Sequence, residues 1–157
     1  MSIVSDICFK VKRKYGKCIV VFDGYPQTPT KKDMAHRKRY GQPVQIMELS
    51  ANSVLSVSLD ELLGNNQSKS QLIHILKSSL EKEQITVFCA SDDADRMIAS
   101  KALDSANRMN TVIVAEDTDI IVLLWSALNE TAYDIHVQDE NKCWDIKQLV
   151  KEEGLQK

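Results

Sequence analysis

Hydrophobic runs and polar segments alternate along this chain of 157 residues, and their spacing predicts the elements of the fold. Three runs rich in Val and Ile, "CIVVF" at 18–22, "ITVFCA" at 85–90 and "TVIVA" at 111–115, are apolar without interruption by charged residues. Continuous runs of this length are typical of strands buried on both faces of a parallel sheet. We therefore predict three buried strands, and a fourth, less continuous one from "YDIHV" at 133–137.

Segments with helical spacing lie between and after these runs. Apolar residues recur on one helix face within 67–83, 92–107 and 119–128. The succession of strand, helix, strand and helix favours a parallel α/β sheet with right-handed crossovers. Residues 133–146 predict two strands joined by a polar turn, and "IKQLVKEEG" at 146–154 predicts a last helix.

Length and composition narrow the class of protein. A chain of 157 residues with 43% apolar residues is sufficient for one domain with a hydrophobic core. It contains no apolar run near the roughly 20 residues of a membrane span and no pattern of a signal peptide. We expect an intracellular protein, not secreted and without a membrane partner; a nuclear location is compatible, and the oligomeric state is not indicated. The four cysteines form no CxxC pair, so we expect reduced thiols, with Cys18 and Cys89 buried in strands.

Acidic residues follow each of the first three predicted strands. They are Asp23 after the first strand, Asp92, Asp93 and Asp95 after the second, and Glu116, Asp117 and Asp119 after the third. Because the carboxyl ends of parallel strands meet at one edge of a sheet, we expect these side chains to converge there. Carboxylates are ligands that Mg²⁺ prefers, and two such ions about 3.5–4 Å apart promote phosphodiester hydrolysis.

Helix capping is the alternative explanation for the same acids. Ser91 or Asp92 suits the N-cap of the helix that follows, and Asp117 suits the N-cap of the next helix. A turn stabilised by its own side chain accounts for Asp23. Capping needs one oxygen per helix, however, and leaves the additional acids at each strand end unexplained. We therefore favour a metal site, with capping as the competing hypothesis.

A basic run follows Asp23 in the sequence. The segment "KKDMAHRKR" at 31–39 contains five cations and one Asp. Cations beside an acidic metal site suit a substrate that carries phosphates. We predict a nucleic-acid-binding segment here, with a solvated helix surface as the alternative. Its proposed binding residues are Lys31, Lys32, Arg37 and Arg39.

Three segments, in this order, resemble the flap-endonuclease type of PIN-like nucleases: "VVFDGYPQTPTKKDMAHRKRY", "SDDADRMIA" and "VAEDTDIIVLL". The resemblance covers 18–125. It implies a three-layer α/β/α fold with a mostly parallel central sheet and a structure-specific 5′ nuclease that depends on Mg²⁺ or Mn²⁺ and acts on nucleic acid, DNA rather than RNA. The positions that match the family's catalytic and metal-binding acids are Asp23, Asp93, Asp95, Asp117 and Asp119. Those that match its substrate-handling basic positions are Lys31, Arg37 and Arg39.

The sequence departs from the family pattern at both ends. The family begins with a strand that carries a first catalytic Asp, whereas this chain starts inside the helix that follows. The family also continues beyond 146–154 into a helical segment with a further Asp. We therefore expect residues 1–157 to form a single, partial PIN-like nuclease domain that lacks the usual first strand. By itself, this domain is expected to cleave weakly or not at all.

Two other functions are compatible with parts of the sequence. "VIVAEDTDII" is superficially similar to the signature of phosphatases that use an aspartate nucleophile, but those enzymes place it early, and only residues 120–157 follow it here. The other function is a non-catalytic PIN-like module that binds nucleic acid or a protein. Metal dependence separates this module from a nuclease.

Overall fold

The computed structural model divides the chain into two compact units, Met1–Asp92 and Asp93–Lys157. Each has its own hydrophobic core, so they are described separately. The prediction of one domain over 1–157 stays a prediction. The residues that the structure describes are 2–24, 49–50, 58–64, 66–91, 93–127 and 131–152.

The described part of the first unit contains three helices and two strands. Helix α1 begins after Ser2, whose Oγ accepts a hydrogen bond from the Ser5 backbone N–H at 3.2 Å. It ends at Gly16, which has a φ of 63° and donates its N–H to the Lys12 carbonyl at 2.9 Å. Gly suits this position because it lacks the Cβ that disfavours positive φ. The elements are α1 (Ile3–Tyr15), β1 (Ile19–Phe22), α2 (Leu59–Gly64), α3 (Asn66–Lys82) and β2 (Thr86–Cys89).

Strands β1 and β2 are parallel, with Ile19 opposite Thr86 and Phe22 opposite Cys89. Helix α3 lies centrally in this unit and packs against α1, α2 and β2. The helical face predicted within 67–83 is confirmed, since its leucines are buried. The core consists of Val4, Cys8, Leu62, Leu72, Leu76, Leu80, Ile85 and Val87.

The described residues of the second unit form three helices and a three-stranded sheet in the order β3-β4-β5. Strands β3 and β4 are parallel, and β4 and β5 are antiparallel, with Val137 opposite Trp144. The two predicted strands near the C-terminus and the last helix are therefore confirmed. The elements are α4 (Ala94–Ala106), β3 (Thr111–Val114), α5 (Asp119–Ala127), β4 (Ile135–Gln138), β5 (Cys143–Asp145) and α6 (Ile146–Glu152).

Small residues of α4 lie in the core of the second unit. Ala99, Ala102 and Ala106 are buried, whereas the larger Ile98 and Leu103 are only partly buried against the same cluster. Small side chains allow helices to approach closely, and α4 packs against α5. The other buried members of this core are Ile113, Ile120, Leu124, Ile135, Val137 and Ile146.

The prediction of burial on both faces is wrong for β3. Ile113 is 6% exposed, but Val112 and Val114, which point to the opposite face, are 57% and 52% exposed. Strand β3 is an end strand of its sheet in the described part of the chain, and only one of its faces meets the core. The four cysteines are free, as predicted; Cys18 is half-buried, but Cys89, expected to be buried, is exposed at the end of β2.

The predicted α/β class is confirmed: helices alternate with short strands, and two of the strand pairs are parallel. The hydrogen-bonded strands of the described residues form a two-stranded and a three-stranded sheet. This organisation places the carboxyl ends of β1, β2, β3 and β4 directly before loops or helix starts that carry acidic residues.

Candidate functional site

The first acidic pair opens helix α4. Asp93 is the N-cap residue, in an extended conformation, and its Oδ1 accepts a hydrogen bond from the Asp95 backbone N–H at 3.1 Å. Its Oδ2 lies 3.7 Å from Nε of Arg96, and both side chains are largely in solvent. A carboxylate here is stabilised by a backbone N–H that has no partner within the helix and by the helix dipole. The sequence predicted Ser91 or Asp92 as this cap, whereas the N-cap in the structure is Asp93.

The second acidic pair lies at the start of helix α5. Asp117 Oδ1 accepts a hydrogen bond from the Asp119 backbone N–H at 3.0 Å. The sequence predicted Asp117 as the N-cap, and in the structure it lies two residues before the first residue of the helix. Asp119 is the first residue of α5, and Ile120, directly after it, is completely buried. Asp117 and Asp119 are exposed, although Ile113 before them and Ile120 after them are buried. The desolvation cost that burial would impose on these acids is thus avoided.

Topology brings the two acidic pairs to the same end of the second unit. A short connection at 107–110 joins α4 to β3, and these two elements pack against each other. The chain therefore reverses between them, so the start of α4 and the carboxyl end of β3 lie at one end. Helix α5 begins just beyond that strand end and packs against α4. Four of the five predicted acids, Asp93, Asp95, Asp117 and Asp119, thus belong to two neighbouring helix starts.

The fifth predicted acid, Asp23, follows β1 in the first unit and is exposed. The Gly24 backbone beside it passes very close to β2: a Cβ on Gly24 would lie 1.7 Å from the Ala90 carbonyl oxygen. The Ala90 N–H in turn donates to the Phe22 carbonyl at 2.9 Å. Glycine is therefore required after Asp23 by this contact. The structure therefore explains the glycine of "FDG", and gives no such reason for Asp23 itself.

The predicted basic residues Lys31, Lys32, Arg37 and Arg39 lie outside the described residues, and so does Asp92. Their assignment to a nucleic-acid-binding segment therefore stays a prediction.

A further acidic group in the second unit combines Glu116, which the sequence analysis noted, with Asp139 and Glu140, which it missed. Glu116, Asp139, Glu140 and Asn141 line a shallow polar depression next to the β4–β5 turn. Asp139 Oδ1 accepts the backbone N–H groups of Asn141 and Lys142, each at 2.6 Å, and so stabilises the turn. The signal was present in "QDEN", because these acids follow β4 just as the others follow their strands.

The donor set suits a hard dication in its chemistry. Of the four acids at the two helix starts, three are exposed and Asp95 is half-buried. Mg²⁺ keeps several of its waters and needs only one or two protein carboxylates, so exposed acids of this kind suit it. Within the described ranges, no group of three or more His, Cys, Asp or Glu side chains converges closely enough to hold a metal ion. The acids can therefore supply ligands in pairs, through carboxylate oxygens that capping does not use.

An apolar depression lies elsewhere in the second unit, between α5, β5 and α6. It contains both tryptophans of the chain, and its walls carry no ionisable side chain, so it offers no acid–base chemistry. The residues that line it are Ile121, Trp125, Trp144, Ile146, Leu149 and Val150.

No protein-family model, no curated protein and no solved structure matches this chain. Among the helices that the structure describes, none is both long and apolar enough to cross a membrane. Any functional assignment therefore depends on the side chains themselves.

Proposed function

We propose that this chain carries the acidic site of a metal-dependent phosphodiesterase that acts on nucleic acid, with a three-layer PIN-like fold of the flap-endonuclease type. One observation carries the proposal. Two helices that pack against each other, α4 and α5, each begin with an Asp-x-Asp pair. One acceptor is enough to cap a helix, so capping by itself does not require the second acid of each pair.

Asp93, Asp95, Asp117 and Asp119 would hold Mg²⁺ or Mn²⁺ at these helix starts. The bound dication would supply a water of lowered pKa and neutralise charge on the phosphate. Asp93 and Asp117 are each fixed by a backbone N–H, at 3.1 and 3.0 Å. This leaves Asp117 Oδ2 to face a ligand, whereas Asp93 Oδ2 would exchange its exposed contact with Arg96, at 3.7 Å, for the metal ion. Orientation of this kind is useful in a catalytic site because a preorganised carboxylate need not be ordered when substrate binds.

A second candidate is a PIN-like module that binds nucleic acid or a protein without catalysis. The observation that favours it is the pairwise arrangement of the acids, since the described residues contain no group of three possible metal ligands. In such a module, Asp93 and Asp117 act as helix caps only. Binding of its partner is then the same with and without a divalent ion.

Thermal unfolding in Mn²⁺ separates the two candidates. We compare the parent chain with Asp117→Asn, whose amide oxygen can still cap α5 but whose charge is lost. Millimolar Mn²⁺ is expected to raise the Tm of the parent, by about 2–4 °C for each kcal/mol of binding free energy, and to leave Asp117→Asn unchanged. In chelator, Asp117→Asn is expected to be at least as stable as the parent because repulsion between the acids is relieved.

Asp104→Asn is the matched control, since Asp104 is an exposed acid inside α4 and away from both helix starts. It should show the parent's Mn²⁺ shift. A parent Tm that is indifferent to Mn²⁺ would contradict the metal site and leave the acids as caps. Cleavage of a labelled flap substrate, in DNA and RNA versions, is then measured with Mg²⁺ and with chelator.

A further inference from the structure

Helix α1 and the residue pair after it form a strongly basic surface that the acidic site does not involve. The segment "FKVKRKYGK" at 9–17 contains five cations and no acid. This local charge belongs to a wider asymmetry. Residues 1–92 carry thirteen Lys and Arg against nine Asp and Glu, a net charge of +4, whereas residues 93–157 carry seven against thirteen, a net charge of −6.

The two sides of α1 have different partners. Val4 and Cys8 are buried in the core of the first unit, and α1 packs against α3. With about 3.6 residues per turn, Phe9 and Arg13 lie one turn apart on the side opposite to Val4. Phe9 is 55% exposed, and the Arg13 guanidinium lies 6.0 Å from the centre of its ring. The outward face of α1 thus pairs an exposed aromatic ring with a cation.

Neighbouring cations differ in how far they are already neutralised. Lys10 pairs with Asp6 at 2.7 Å, and Lys12 forms an ion pair with Glu83. Arg13 has no carboxylate within ion-pair distance among the residues that the structure describes. Its charge is therefore available to an anionic partner from outside.

The burial of the apolar side argues against a membrane as that partner. Amphipathic helices bind membranes by inserting their apolar face into the lipid boundary. In α1 this face is already occupied by the core of the unit, and the face that remains offers cations and one ring. Exposed aromatic rings beside cations are instead the elements with which proteins bind single-stranded nucleic acids, by base stacking and phosphate contacts.

We propose that the outward face of α1 is a docking surface for single-stranded nucleic acid. Arg13 contacts backbone phosphate, Phe9 stacks on a base, and Lys17, just beyond the helix, extends the positive surface. Tyr15, which is 39% exposed beside Lys14 at 5.1 Å, provides a second ring at the same end of α1. The surface goes beyond the proposed hydrolysis, since binding here needs neither metal nor the acids of the second unit.

The test is binding of the full chain to labelled single-stranded DNA and RNA of about 16 nucleotides, titrated at several salt concentrations in chelator. Phe9→Ala is expected to weaken binding by roughly 5- to 100-fold without changing its salt dependence, because stacking releases no counterions. Arg13→Ala is expected to weaken binding by about 3- to 10-fold and to lower the slope of log K against log salt by about 0.7. Arg13→Lys should keep the parent slope.

Matched controls lie in the second unit. Val122→Ala removes a side chain that is 60% exposed, and Lys151→Ala removes an exposed cation; both should bind as the parent does. Far-UV circular dichroism and Tm verify that Phe9→Ala and Arg13→Ala are folded. Because binding is measured in chelator, failure of the metal site leaves this result unaffected.

Three results would overturn the docking surface. One is a parent chain that binds neither oligonucleotide at low salt. Another is affinity that is unchanged in both Phe9→Ala and Arg13→Ala, which would make the surface merely solvated. The third is binding of phosphatidylserine vesicles, but not of oligonucleotides, that these same substitutions weaken.

Discussion

At Gly24 the backbone passes so near to the Ala90 carbonyl that no side chain fits between them. Sequence alone shows the Gly after Asp23, but its cause lies in a contact with a residue that is distant along the chain. The acids at 93 and 117 are different, because their capping bonds are to residues two positions away. The sequence indicated Asp117 for such a contact and missed the Asp93 cap by one or two positions, whereas the close approach at Gly24 requires the paired strands.

Substitution of Gly24 should therefore be costly. Gly24→Ala would place a Cβ 1.7 Å from a backbone oxygen, and backbone must move to relieve the clash. We expect a loss of about 3 kcal/mol in the free energy of unfolding, measured by urea denaturation. Gly64→Ala is the control, since a Cβ on Gly64 meets nothing within 4 Å, and it should be neutral or stabilising. Equal losses in both variants would contradict the steric explanation.

The cysteines should differ in reactivity toward a thiol reagent. Burial, and to a smaller extent Glu83, raises the pKa of the Cys8 thiol above its ordinary value. Because the thiolate is the reactive form, Cys8 should label last and require higher pH, while exposed Cys89 and Cys143 should label first. Peptide mapping after timed labelling measures this order. Fast labelling of Cys8 at neutral pH in the folded chain would show that α1 is not packed as described.

The raised pKa also has a consequence for stability. The folded state holds the Cys8 proton more tightly than the unfolded state, so this contribution is fully present below the unfolded thiol pKa. It is lost as the pH rises through the pKa of the folded state. Cys8→Ala should therefore show a smaller decrease in Tm than the parent when the pH is raised into the alkaline range.

At the level of elements, the hydrophobic pattern located the helices and strands that it predicted to within two residues, but α1 was expected only from the family resemblance and α2 was not predicted. The helix expected at 92–107 is Ala94–Ala106, and the strand expected at 111–115 is Thr111–Val114. Burial was harder to predict, because it depends on which neighbour covers each face. Val112 and Val114 have the composition of a buried strand, but they lie on the face of β3 opposite to its core. The propensity of valine for strand structure does not indicate whether another element covers a given face of the strand.

The start of α4 offers a test of capping alone. Asp93→Ala removes the acceptor for the Asp95 N–H and should lower the free energy of unfolding by about 1 kcal/mol in chelator. Asp93→Asn retains an acceptor and should remain close to the parent. Asp104→Ala, within the same helix, should be neutral or slightly stabilising because Ala is the better helix former. The capping contribution is measured from the denaturant concentration at the unfolding midpoint of the three variants in chelator. Equal midpoints for Asp93→Ala and Asp93→Asn would exclude a capping contribution.

At the level of the whole molecule, the described residues form two hydrophobic cores, and the sequence did not indicate this division. Each predicted strand and helix could be placed, but the spacing of apolar residues says nothing about which elements share a core. The candidate acids were found because strand ends are visible in the sequence. The outward face of α1 could not be identified from the sequence, because the sequence does not show which side of this helix packs against the core.

The second unit can be probed specifically, because the two tryptophans of the chain, Trp125 and Trp144, both lie in it. Leu124 is completely buried, so Leu124→Ala should lower the free energy of unfolding by about 2–5 kcal/mol, measured by tryptophan fluorescence. Val122→Ala, in the same helix but 60% exposed, should change it by less than about 0.5 kcal/mol. Similar costs for both variants would contradict the assigned orientation of α5.

The exposed valines of β3 also affect how the protein behaves in concentrated solution. Val112 and Val114 form an exposed apolar surface on β3, which is an edge strand of its sheet among the described residues. Such strands are templates for pairing between molecules and for aggregation. Turbidity and light scattering should therefore rise with protein concentration before any loss of helical signal. The protein should therefore be purified at low concentration and stored without salts that strengthen apolar contacts, because β3 at 111–114 exposes two of its valines.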